Sequence, residues 1–334
     1  MNPSDERPGL EVPARVIPVP TTISPEAQAM LALGPMPAPE YPALDDAEGW
    51  RRMIAATDQA MLSMWTDAGM ASPDGFEFEE LTFDGVRVFV ITPDDLDPND
   101  GRVYLDIHGG AFIVGGGDLC RVIGAMTAAK LHMRVWTVDY RMPPDHPFPA
   151  GLDDCVAAYR ALLERNRPEE IVVGGTSAGG TLSAALVLRA RDEGLPMPAV
   201  AILLTPGTDL TQASDSFRTN AGVDTILRPD AGEPLLLYAG GHDLRDPYVS
   251  PVYGDFSLGF PPTLLASGTR DMLLSDTVRL HRALRAAGVD AELHVFEAAP
   301  HGFFRGQAPE DRELDREVAA FIARHCPMVV TGSG

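Results

Sequence analysis

The apolar positions along this chain change their period several times, and each change marks an element. Residues 1–43 carry Pro13, Pro18, Pro20, Pro25, Pro35, Pro37, Pro39 and Pro42 and read as a surface wrap. One short helix is predicted there over 24–33, with Ser24 as N-cap, Pro25 in the first turn and Gly34 as its stop. A longer helix is predicted over about 45–68. Trp50, Met53, Ile54, Thr57, Met61, Leu62 and Trp65 recur there at three- and four-residue spacing, which gives one apolar face.

From Phe76 the period becomes two. Segments 76–83 and 86–91 flank Asp84-Gly85, a hairpin signal. Strand 102–107, helix 119–131, strand 134–139, helix 150–165, strand 171–175, helix 179–193 and strand 199–204 follow in alternation. Strands separated by helices of this length predict a mostly parallel, doubly wound sheet with both faces covered. The alternation stops between Thr205 and about Asp246, where Pro234-Leu-Leu-Leu-Tyr238 is the main apolar run and no strand pattern occurs. This stretch reads as a helical insertion above the C-terminal edge of the sheet. Regular order resumes with strand 263–268, helix 275–287, strand 291–296 and a last helix over 310–325.

Composition narrows the field of functions. A net charge of −22 argues against nucleic acid and anionic membranes as partners, since both select basic surfaces. Lys130 is the one lysine among 26 basic residues. That removes a Walker A loop and a Ser-x-x-Lys hydrolase, because Lys130 follows Thr127-Ala-Ala and stands beside neither motif. The three cysteines, Cys120, Cys155 and Cys326, have no metal-binding spacing and read as reduced thiols. Neither a signal peptide nor an apolar run of membrane-spanning length is visible, so a cytoplasmic protein is the expectation.

The chemistry centres on Gly174-Gly175-Thr176-Ser177-Ala178-Gly179-Gly180, after the apolar Ile171-Val172-Val173. Gly175-x-Ser177-x-Gly179 is the pattern of a nucleophile elbow, a sharp strand-to-helix turn that lifts a serine hydroxyl above the sheet edge. Gly175 and Gly179 flank the serine because a side chain there would collide with a facing strand or helix. Such a serine needs an oxyanion site, a base and an acid. His108-Gly109-Gly110 leaves a strand and offers backbone N–H groups without side chains in the way, with the N–H of Ala178 as a further donor. His301, in Pro300-His301-Gly302 after the last strand, is the histidine whose position fits a base on the same edge. His108 reads as a residue that stabilises its turn. Asp271, leaving the strand 263–268, fits the acid. Its competitor, Asp276, falls inside the next helix and reads as a first-turn carboxylate.

Five segments together resemble the hormone-sensitive lipase family of bacterial esterases. They are His108-Gly109-Gly110, Tyr140-Arg141 through Pro149-Ala150, Gly175-Thr-Ser-Ala-Gly179, Asp246-Pro-Tyr-Val-Ser-Pro251 and Pro300-His301-Gly302. The elbow is that of the Gly-Thr-Ser-Ala-Gly subgroup, and Ala111 stands where many members have a third glycine. The resemblance implies an α/β-hydrolase fold with a helical cap. Residues 1–70 and the insertion 207–246 would form the cap, and 71–206 with 247–334 the core. It implies Ser177, Asp271 and His301 as a catalytic triad and Gly109, Gly110 and Ala178 as oxyanion donors. Short- to medium-chain carboxylic esters would be the substrates, no cofactor or metal would be needed, and a homodimer through the last strand is possible. Met and Trp side chains of the helix 45–68 would then line an acyl pocket, as an alternative to plain lid packing. A lactonase or amidase on the same triad is the nearer alternative activity, and a non-catalytic ligand-binding relative the remoter one.

Overall fold

The computed structural model describes residues 9–37, 40–67, 74–229 and 232–328. The predicted end of the long helix at residue 68 lies outside them. Two helices open the chain, α1 (Pro25–Ala32) and α2 (Ala47–Asp67). Ser24 caps α1, its hydroxyl accepting from the Ala27 N–H. On α2, Trp50 is buried, and Met53, Ile54, Thr57, Asp58, Met61, Leu62 and Trp65 form a half-buried stripe. One face of this helix therefore lies against the molecule and the other faces water.

Eight strands form one sheet in the order β1-β2-β4-β3-β5-β6-β7-β8. These are β1 (Phe76–Phe83), β2 (Val86–Pro93), β3 (Val103–Ile107), β4 (Arg134–Asp139), β5 (Ile171–Thr176), β6 (Val200–Leu204), β7 (Thr263–Gly268) and β8 (Ala291–Phe296). β2 pairs antiparallel with β1 and with β4, and the remaining pairs are parallel. The reason is the length of the connections. Asp84-Gly85 closes a hairpin, whereas each connection from β3 to β8 contains a helix.

The crossover helices are α3 (Asp118–Leu131), α4 (Ala150–Leu163), α5 (Ala178–Asp192) and α8 (Leu274–Ala286), and α9 (Pro309–His325) follows the last strand. Among the described residues between β6 and β7 lie two short α-helices, α6 (Ser216–Thr219) and α7 (Glu233–Ala239). Residues of α1, α3 and α9 pack on one face of the sheet, with Leu31, Ala125, Leu314, Val318 and Phe321 against Val135, Val172 and Ile202. Residues of α4 and α5 cover the other face, where Leu152, Tyr159, Leu182 and Leu186 meet Leu105, Ile107 and Val173. The central strands are buried on both sides and accordingly read as continuous apolar runs. Among the described residues no helix is long and apolar enough to cross a membrane.

A carboxylate also lies within this core. Asp106, in the middle of β3, is buried, and among the described residues its carboxylate accepts from the hydroxyls of Thr127 (3.4 Å) and Thr137 (3.3 Å). Burial pushes its pKa up to about 7, the two hydroxyls and Lys130 offsetting part of that rise. A carboxyl whose folded pKa exceeds its unfolded value of about 3.9 binds more protons when folded, so its contribution to stability falls as pH rises between the two values. Asp106→Asn should remove this slope. Urea midpoints at pH 5 and pH 8 are expected to differ less in the variant, and the variant should gain on the wild-type protein at pH 8.

Candidate active site

Ser177 stands between the end of β5 and the start of α5 with φ +59° and ψ −122°. For a residue with a side chain this conformation is strained, and its surroundings hold it in place. The Ser177 N–H donates to Leu204 O at the end of β6 (2.8 Å), and Ser177 O accepts the first helical bond from Thr181 N (3.1 Å). A Cβ on Gly179 would run into the Ile107 carbonyl at the end of β3. The absence of a side chain there lets α5 begin directly against the sheet edge. Ala178, at the first position of α5, has an N–H that no intrahelical bond uses.

His301 lies in the loop after β8 and Asp271 in the loop after β7, both at the edge that carries Ser177. Ser177 Oγ is 2.8 Å from His301 Nε2, and His301 Nδ1 is 3.1 Å from Asp271 Oδ1. Asp271 is fully buried, its carboxylate also accepting from Ser267 Oγ (2.7 Å) and Leu273 N (2.8 Å). With a carboxylate on Nδ1, the proton of a neutral imidazole belongs on that nitrogen, leaving the Nε2 lone pair toward the serine hydroxyl. Burial opposes the imidazolium, but the charge and hydrogen bond of Asp271, joined by the charge of Asp224, outweigh it. The His301 pKa is therefore raised above its ordinary value.

Asp276 is elsewhere. It stands in the first turn of α8 and is buried, accepting from Asp209 N (2.9 Å) and from Ser214 Oγ, so it holds the segment after β6 against α8. Burial pushes its pKa up to about 7. Four other histidines bond elsewhere too. His132, His294 and His325 face Asp95, Glu292 and Asp290, and His281 faces Ala291 O.

The turn His108-Gly109-Gly110 passes directly over the serine. A Cβ on Gly109 would lie 2.7 Å from Thr176 O and 3.4 Å from Ser177 Cβ. Behind it, His108 is buried and stacked on Tyr140 at 4.2 Å, and Tyr140 Oη donates to His108 O (3.0 Å). His108 Nδ1 donates to Gly109 O (2.8 Å), and burial lowers its pKa to about 4, so the ring is neutral near pH 7. Donor atoms of His108, Cys120 and Asp139 lie within 4.8 Å of one another. Both Asp139 oxygens are already engaged, one by Gly117 N (2.8 Å) and the other by the Arg87 guanidinium.

Two helices outside the sheet brace this turn, and nothing in the sequence pattern announced how. Asp58 of α2 accepts from Gly115 N (2.9 Å), and Tyr238 of α7 stacks on Phe112 with ring centroids 4.0 Å apart. Arg51 of α2 also pairs with Asp145 (2.6 Å).

Known proteins resemble this arrangement throughout. Residues 104–305 match the model of a family described by its alpha/beta hydrolase fold. An esterase of Acinetobacter venetianus is 33% identical over 225 residues, spanning 66% of this chain and 74% of that protein. An acetyl-hydrolase of Streptomyces hygroscopicus is 34% identical over 230 residues, spanning 67% of this chain and 76% of that one. The crystal structure of esterase E25 superposes with a TM-score of 0.87 at 34% identity, covering 95% of this chain and 99% of its own. An esterase from the bacterial hormone-sensitive lipase family gives a TM-score of 0.75 at 31% identity, with 91% and 99% covered.

The bonding separates the two aspartates experimentally. Asp271→Asn should slow the labelling of Ser177 by a fluorophosphonate probe by about 10³-fold or more, because the amide reverses the tautomer of His301. Asp276→Asn should label at nearly the wild-type rate and alter stability instead. Mass spectrometry of the labelled peptide checks both outcomes.

Proposed function

Because this chain belongs to the α/β-hydrolase fold family, within its hormone-sensitive lipase branch, we propose that its carboxylesterase chemistry runs through Ser177, His301 and Asp271. The observation that carries this reading is the hydrogen-bonded line from Ser177 Oγ to His301 Nε2 (2.8 Å) and from His301 Nδ1 to Asp271 Oδ1 (3.1 Å). Ser177 Oγ attacks the ester carbonyl carbon while its proton passes to His301 Nε2. The negative oxygen of the tetrahedral intermediate sits against the N–H groups of Gly109, Gly110 and Ala178. Two facts support these donors: the Gly109 turn lies over Ser177, and Ala178 opens a helix. The ester C–O bond then breaks, and the leaving alcohol takes the proton from Nε2. A water gives a proton to the same nitrogen and adds to the acyl carbon. Collapse of that second intermediate frees the acid and returns the proton to Ser177. No metal or organic cofactor enters these steps.

Substrate size falls to the cap, read as residues 1–70 with 207–246. The half-buried stripe of α2 and the docking of Asp58 on Gly115 support a role for this helix in limiting acyl length. Small esters of short to medium chain are the proposed substrates. The free, buried state of all three cysteines fits a reducing, cytoplasmic setting. The open edge of β8, with Val295 43% exposed, fits a homodimer through the last strand.

Ser177→Ala is expected to lower p-nitrophenyl butyrate turnover by about 10³-fold or more, and retained turnover would overturn the assignment. The base must be neutral to act, so kcat/KM should fall as pH drops through the His301 pKa, above the ordinary histidine value of about 6.5. A panel of p-nitrophenyl esters, lactones and amides tests the bond cleaved. In a folded variant lacking residues 1–68, the ester series should extend to longer acyl chains; an unchanged chain-length profile would count against α2 as the limit.

A further inference from the structure

The loops that bear the acid and the base meet through the bond from Arg270 N to Ala299 O (3.1 Å), and a segment of the insertion adds further ties to both. Ser216, at the start of α6, donates through Oγ to Met272 O (2.7 Å) and accepts there from Ser275 N (2.8 Å). Asn220 Nδ2 donates to Asp271 O (2.8 Å) and to Thr269 O (3.2 Å). Asp224 completes the set. Its Oδ1 accepts from Ile226 N (2.9 Å) and Leu227 N (3.2 Å), closing a turn in its own segment, and also from His301 N (3.3 Å). Its Oδ2 accepts from Met272 N (2.9 Å), the residue after the acid. One carboxylate, 1% exposed, thus joins the base loop, the acid loop and the insertion.

A neutral acceptor could make part of this tie, so the charge calls for its own account. Burying a carboxylate is costly unless hydrogen bonds or an opposite charge repay it. The charged groups that act on His301 are Asp271, from the loop after β7, and Asp224, from the insertion. Burial, with the charge of Asp271, raises the Asp224 pKa above the ordinary carboxylate value, while His301 and the N–H groups of Ile226 and Met272 oppose that rise. The cation that both carboxylates share is the imidazolium formed each time His301 takes a proton.

We infer that Asp224 is a positioning residue of this site: its carboxylate locks the acid and base loops together, and its charge favours the protonated imidazole through which acyl transfer passes. The inference rests on the reading of Ser177, His301 and Asp271 given above.

The test compares kcat, KM and the pH profile of p-nitrophenyl butyrate hydrolysis in the wild-type protein, Asp224→Asn and Asn220→Ala, with thermal unfolding as the check on folding. Asp224→Asn keeps the size of the side chain and removes its charge. It should lower kcat about tenfold, leave KM little changed and move the acidic limb of kcat/KM down by about one pH unit. Asn220→Ala loses two backbone ties but no charge, and should lower kcat about tenfold with the acidic limb unmoved. A folded Asp224→Asn protein with wild-type kcat and limb overturns the inference. A lowered kcat with an unmoved limb overturns its electrostatic half. If Asp224→Asn does not fold, wild-type kcat and KM in Asn220→Ala overturn the positioning role. Ser177→Ala in the same assay keeps the two readings apart. The triad fails if that variant stays active, whereas the role of Asp224 fails while Ser177→Ala is dead.

Discussion

The whole site depends on how closely the turn between β5 and α5 approaches the end of β3. There is no space for a side chain between Gly179 and the Ile107 carbonyl, so α5 starts flush with the sheet edge. Ser177 is then forced into positive φ, and the backbone bond from Ser177 N to Leu204 O holds it there. The same closeness brings His108-Gly109-Gly110, which continues β3, over the serine. Backbone strain at one residue is thus balanced by two neighbouring strands, and the hydroxyl is presented without flexible support.

Much of this was legible in the residues. The eight strands and the crossover helices follow from changes of hydrophobic period, and their bounds differ from the pattern by a residue or two at the ends. Gly-x-Ser-x-Gly, His-Gly-Gly and Pro-His-Gly each sit at a strand's end, where a parallel sheet gathers its loops on one edge. That shared edge is why Ser177, Asp271 and His301 could be named together. Asp271 and Asp276 were separable on the same ground, since a residue one turn into α8 has left the edge.

What could not be read was the bonding between elements without periodic signal. Asp224 lies in a stretch with several aspartates and glycines, and nothing local distinguishes it from Asp215 or Asp230. Its partners, Met272 and His301, offer backbone N–H groups, which leave no trace in residue identity. Asp58 presents the same difficulty. It occupies the half-buried stripe of α2, where an apolar residue would satisfy the pattern equally well, yet it binds Gly115 N. Buried polar groups must be satisfied, but sequence does not say by whom.

The bonds from Ser216, Asn220 and Asp224 to the loop 269–275 also bear on how this architecture can be rebuilt. A cap is commonly regarded as a module that can be exchanged between scaffolds to change selectivity. In this molecule residues 216–224, part of the stretch proposed above as cap, share hydrogen bonds with the loop that bears Asp271. A chimaera that replaces the whole stretch between β6 and β7 would carry away those partners too. A transplant that keeps residues 216–227 and exchanges only the chain beyond them would preserve the frame, including the turn that Ile226 and Leu227 close on Asp224. The seam for recombination therefore lies within the insertion, after Leu227.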